Sequence, residues 1–91
     1  MPTIQVPTIY RGHTRRESSI EVEGTTLGAC LDAAEESFPG FRALVVDEAG
    51  RVHKFNKLLL DGELLGRDPS VLDTPVSREA EIEVMAAIAG G

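Results

Sequence analysis

Gly24-Thr25-Thr26-Leu27-Gly28-Ala29-Cys30-Leu31-Asp32-Ala33-Ala34-Glu35-Glu36-Ser37-Phe38-Pro39-Gly40 is the passage that decides how this chain folds. A threonine hydroxyl at its start can cap the free N–H groups of a first helical turn. Leu27, Cys30, Leu31, Ala34 and Phe38 then recur at helical spacing, while Asp32, Glu35 and Glu36 fall on the other face. Pro39-Gly40 stops the helix. The passage predicts one amphipathic helix whose apolar stripe needs a second layer to cover it.

The flanking segments supply that layer. Ile4, Val6 and Ile9 predict a strand over residues 3–9, which Pro7 must bulge or end because it has no N–H for a ladder. Tyr10 to Arg16 is polar, contains Gly12, and suits a hairpin connection. From Glu17 to Glu23, Ile20 and Val22 alternate with Ser19, Glu21 and Glu23, the pattern of a half-buried strand. Beyond the helix, Phe41 to Val46 is a short apolar passage and Asp47-Glu48-Ala49-Gly50 a turn. Val52 to Leu60 predicts a third strand, closed by Asp61-Gly62, with Glu63-Leu64-Leu65 as a brief return. Gly66 to Ser70 reads as loop and Val71-Leu72 as an apolar plug. Glu81 to Ile88 is the last strand, with Ile82 and Val84 inward. The order β-β-α-β-β-β is α+β.

Composition narrows the function. Ninety-one residues allow one domain, with a modest core and no deep catalytic cavity. Nine Lys+Arg against 15 Asp+Glu leave a net charge of −6, which argues against nucleic acid as the partner. One cysteine cannot make an internal disulfide. No apolar run approaches the roughly 20 residues that span a bilayer, and Met1-Pro2-Thr3-Ile4-Gln5 lacks the features of a signal peptide. The expectation is a cytoplasmic protein with no membrane partner.

No catalytic motif stands in the chain. His13 and His53 are isolated and expected to face solvent, so no metal site and no catalytic residue is assigned. Cys30, within the apolar stripe, is expected to be a buried hydrophobe. Arg11, His13, Arg15 and Arg16 read as a solvated hairpin loop, with a grip on an anion as the sharper alternative. Leu58, Leu59 and Leu60 are consecutive, so at least one points away from the helix, and Met85 has the opposite parity to Ile82 and Val84. Leu59, Met85 and Ile88 are therefore candidates for a partner-docking patch, weighed against ordinary isolated surface hydrophobes.

The chain closes on Met85-Ala86-Ala87-Ile88-Ala89-Gly90-Gly91. Two glycines without Cβ atoms can thread a narrow channel, with Ala89 behind them. The expected organisation is a folded body over residues 1–87 and a flexible tail over 88–91. The carboxylate of Gly91 is then the group on which chemistry can be done. Activated as an acyl-adenylate, it can be attacked by sulfur, giving a thiocarboxylate, or by an amine, giving a conjugate.

Thr26-Leu27-Gly28-Ala29, Phe38-Pro39-Gly40, the strand order and Ala89-Gly90-Gly91 together resemble the MoaD/ThiS family of ubiquitin-like sulfur carriers. The resemblance runs along essentially the whole chain. Val6-Pro7-Thr8-Ile9-Tyr10-Arg11-Gly12-His13-Thr14 is most similar to the carriers of cysteine biosynthesis within that family. Relatives often show Phe-Val-Asn where this chain has Phe55-Asn56-Lys57, and prolines where it has Ala86 and Ala87.

The resemblance implies a ubiquitin-like β-grasp fold, a mixed sheet packed on one main helix. It implies a carrier that binds no cofactor and is not itself an enzyme. An E1-like enzyme would adenylate Gly91 with ATP. The resulting thiocarboxylate would serve a sulfur-accepting synthase such as a PLP-dependent cysteine synthase, with a metalloprotease releasing the product. The alternatives it leaves are the small subunit of molybdopterin synthase and a ubiquitin-like modifier conjugated through Gly91.

Overall fold

The computed structural model describes residues 1–87. Five strands form one sheet in the order β2-β1-β5-β3-β4, with β1 at Thr3–Gln5, β2 at Ser19–Glu21, β3 at Asn56–Leu60, β4 at Glu63–Leu64 and β5 at Glu81–Ala86. The first and last strands lie side by side and parallel at its centre; every other pairing is antiparallel. The fold is thus α+β with a mixed sheet, the architecture expected from the resemblance.

The predicted helix is α1, Leu27–Ser37. Thr26 caps it as expected, its hydroxyl accepting from the N–H of Ala29 at 3.1 Å. Leu27, Cys30, Leu31 and Ala34 are buried against one face of the sheet, where Ile4, Ile20, Leu58, Ile82 and Val84 meet them. Each such aliphatic side chain contributes about 1.5–3 kcal/mol on leaving water. The Cys30 thiol lies wholly inside this layer, and burial pushes its pKa up, so it stays protonated and unreactive.

Several segments depart from the sequence reading. The first strand ends at Gln5, and Thr8–His13 winds into a 3-10 helix instead of continuing extended. Pro7 sits just before that turn and Tyr10 is drawn into the core. The expected hairpin loop is therefore a packed element. Phe41–Val45 is a second short helix, α2, where only an apolar passage was expected. It can form because Gly40 takes φ 97°, and because Glu35 accepts from the N–H groups of Gly40 and Arg42 at 2.9 Å each. The third strand begins at Asn56; Val52 instead makes one isolated bridge with Val46. Pro69–Asp73 is a 3-10 turn, the plug foreseen at Val71 and Leu72. The final strand runs Glu81–Ala86 and leaves Ala87 outside it, while the predicted end at Ile88 lies outside the described residues. Among the described residues no helix is long and apolar enough to cross a membrane.

Candidate functional site at the base of the C-terminal tail

One face of the sheet is covered by the helices. The other carries Thr3, Gln5, Ser19, Glu21, Lys57, Leu59, Leu64, Glu81, Glu83 and Met85, as the strand registers require. Leu58 is buried and Leu60 packs against the core, so Leu59 is the member of the triplet that turns away. Met85 is 46% exposed on the same face. Met85 pairs with Lys57, while Leu59 pairs with Glu83 on one side and Leu64 on the other. Leu59 and Met85 are thus diagonal neighbours, and Leu64 extends the apolar line to the sheet edge.

The last backbone bond in the described chain runs from the N–H of Ala87 to the carbonyl of Phe55, 2.8 Å. It ties the end of β5 to the segment leading into β3. Two grooves flank this point and share Met85 and Ala86 in their walls. The wider, about 510 Å3, runs past Pro7, Arg11 and Glu83. The smaller, about 180 Å3, is walled by Lys54, Phe55, Lys57, Met85, Ala86 and Ala87. Phe55 is 47% exposed, and its ring stacks on that of His53 with centroids 4.9 Å apart. Ile88, Ala89, Gly90 and Gly91 lie outside the described residues.

His13 is exposed, as expected. His53 is not simply solvent-facing: it is half-buried, with Nε2 at 2.9 Å from the Ala43 carbonyl. Among the described residues no three His, Cys, Asp or Glu side chains gather where a metal could sit. The arginine cluster does not converge on one point. Arg11 donates from Nε to the Val6 carbonyl at 3.1 Å. Arg15 reaches the Ser37 carbonyl at the end of α1, 3.0 Å away, and lies over the Phe38 ring. These arginines fasten the loop to the body.

Phe55, Leu64 and the two lysines were missed as surface features. A signal for them was present: Phe55, Lys57 and Leu59 share one parity, and Lys54 and Lys57 are the chain's only lysines.

A mixed sheet holding one long helix, with its terminal strands parallel at the centre, defines a ubiquitin-like β-grasp protein. The sequence pattern of the ThiS family matches residues 4–91, and the chain belongs to that family. It is 30% identical to the sulfur carrier protein CysO of Mycobacterium tuberculosis (strain ATCC 25618 / H37Rv) over 98% of this chain and 97% of that protein. A chain in the crystal structure of the Amycolatopsis orientalis BexX/CysO complex superposes with a TM-score of 0.87 at 30% identity, covering 100% of both chains. The crystal structure of Mycobacterium tuberculosis CysO gives 0.86 at 27% identity, covering 97% of this chain and 100% of that one. SAMP1 from Haloferax volcanii, at 18% identity and a TM-score of 0.75, covering 99% of this chain and 98% of that one, shares the fold.

Proposed function

We propose that this chain is a sulfur carrier whose working group is the carboxylate of Gly91. The observation that carries the reading is the near full-length match to a sulfur carrier protein, together with a family pattern that runs through residue 91. In the proposed sequence an adenylating enzyme uses ATP, and a Gly91 carboxylate oxygen attacks the α-phosphorus with loss of pyrophosphate. Sulfide sulfur then attacks the acyl carbon, the C–O bond to AMP breaks, and a thiocarboxylate remains. A second enzyme draws that sulfur into a small molecule, with cysteine or a related sulfur metabolite as the product class.

The carrier's own part in this reading is presentation. The Ala87–Phe55 bond fixes the root of the tail on a rigid sheet, and Leu59 and Met85 offer apolar contact beside it. Gly90 and Ala89 are small enough to enter a narrow channel. The test is the intact mass of the protein after incubation with host extract, ATP and sulfide. The expected result is a gain equal to one oxygen replaced by sulfur, mapped to the C-terminal peptide. An unchanged mass, where a known carrier loads in the same extract, overturns the proposal.

A further inference from the structure

We propose that the small groove formed by Lys54, Phe55, Lys57 and Met85 receives an acidic, apolar-centred segment of the protein that acts on the tail. This rests on the carrier reading and adds the chemistry of the partner. The groove, about 180 Å3, offers room for one large apolar side chain between the Phe55 ring and Met85, both about half exposed. Its rim holds both lysines of a chain whose net charge is −6.

The charge on the open face is graded along β5. The row at its start is Glu81 and Glu21 flanking Thr3; the next brings Glu83 beside Leu59 and Gln5; the last sets Met85 beside Lys57. Four residues of strand separate the acidic end from the basic one, roughly 14 Å at a strand's rise per residue. Glu81 therefore lies beyond the screening length of about 8 Å at physiological salt, while Glu83, diagonal to Lys57, forms no ion pair with it and sets one carboxylate against two lysines at this end. Only the end from which the tail departs is positive. A partner segment with carboxylates around one apolar side chain is attracted there and repelled at the other end, which sets its orientation along β5. The wider groove has no such bias, because Glu81 and Glu83 face Arg11 within it.

Two measurements on the full chain test this. The first is the rate of sulfur loading in host extract with ATP and sulfide. Lys54→Glu/Lys57→Glu is expected to load about tenfold more slowly at low ionic strength, with the gap closing at high salt. Lys54→Arg/Lys57→Arg is expected to restore most of the rate. Arg16→Glu/Arg78→Glu makes the same change in net charge at exposed positions remote from the groove, and is expected to load normally. Charge-reversed lysines that load within about twofold of wild type, or an equal loss in the remote pair, overturn the proposal.

The second measurement is an NMR titration with two capped peptides, acetyl-Asp-Glu-Phe-Glu-Asp-amide and acetyl-Lys-Lys-Phe-Lys-Lys-amide. Saturable shifts at Lys54, Phe55, Met85 and Ala87 are expected with the acidic peptide alone. Equal response to both, or to neither, overturns the groove's chemistry. A wild-type chain that never loads removes the carrier reading by itself and leaves the titration to judge the groove.

Discussion

The hydroxyl of Tyr10 donates to Oδ1 of Asn56 at 2.6 Å, joining residues 46 positions apart. The Asn56 amide in turn donates to the carbonyls of Leu44 at 2.7 Å and Val45 at 3.2 Å. One buried side chain thus holds the first 3-10 turn and α2 to the strand whose first residue it is. Burial raises the Tyr10 pKa, more than the bond to Asn56 lowers it, so the hydroxyl remains a donor. Asn56→Leu is expected to cost about 2–4 kcal/mol by removing the partner of the hydroxyl and of the Leu44 carbonyl. Tyr10→Phe is expected to cost less, about 1–2 kcal/mol. The double variant is expected to fall short of the sum by about 1 kcal/mol in urea unfolding. Additive losses would show that the two side chains do not act as a pair.

Gly24 stands two residues before the Thr26 cap of α1 with φ 157°, and a Cβ there would lie 2.8 Å from the Cys30 nitrogen. That nitrogen belongs to the helix backbone and cannot step aside. Gly24→Ala is expected to destabilise by about 2 kcal/mol or more, since strain and overlap act together. Gly12→Ala is the control: nothing lies within 4 Å of its added Cβ, and the expected change is within about 0.5 kcal/mol. Thermal unfolding of the two variants side by side decides. Equal midpoints would show that the chain before α1 shifts freely.

The contrast between these sites shows what the sequence made legible. The α1 stripe, its Thr26 cap and its Pro39-Gly40 stop are local signals, and the structure keeps all of them. Parity was equally readable at Leu59 and Met85, because strand side chains alternate whatever the sheet order. The first 3-10 helix was not readable. Its anchor, Tyr10, is held by Asn56 from a distant strand, so Ile9 looks like a strand residue and Tyr10 like the start of a hairpin loop until that partner is known. Nor was α2, whose five residues are too few to show a period and whose N-terminus is capped by Glu35 of the preceding helix. The parallel pairing of β1 with β5 leaves no mark in either segment, and the resemblance implied only a mixed sheet.

The carboxylate of Glu35 accepts from the N–H of Gly40 and of Arg42, and these two bonds, with the nearby Arg42 charge, hold its pKa below the ordinary 4.5. A depressed carboxylate contributes stability that is fully present above its unfolded value. That contribution is lost as pH falls through the lower, folded value. Asp47 behaves alike, accepting from Arg51 and Ala49, with an ordinary value of 3.8. Unfolding midpoints are therefore expected to be flat near neutrality and to drop below about pH 4.5. Glu35→Gln is expected to lower the plateau slightly and to make the acid limb shallower. An acid limb identical to wild type would show that the Glu35 bonds do not depend on its charge.

Presentation and stability should separate cleanly at the base of the tail. Deletion of Gly91 is expected to abolish sulfur loading, because its carboxylate is the proposed acceptor, while removal of one terminal residue without a side chain is expected to leave unfolding within about 0.5 kcal/mol. Met85→Ala and Leu59→Ala lie on the open face, not in the core layer, and should cost under about 1 kcal/mol. If they serve to dock the loading enzyme, each raises the KM for the carrier while kcat at saturating carrier stays near wild type. A fall in kcat with unchanged KM would instead place their effect after docking. A loss of stability matching that of Leu58→Ala, whose side chain is in the core, would make Leu59 structural. Steady-state loading kinetics measured beside urea unfolding for the same variants therefore separate a docking role of Leu59 and Met85 from a structural one.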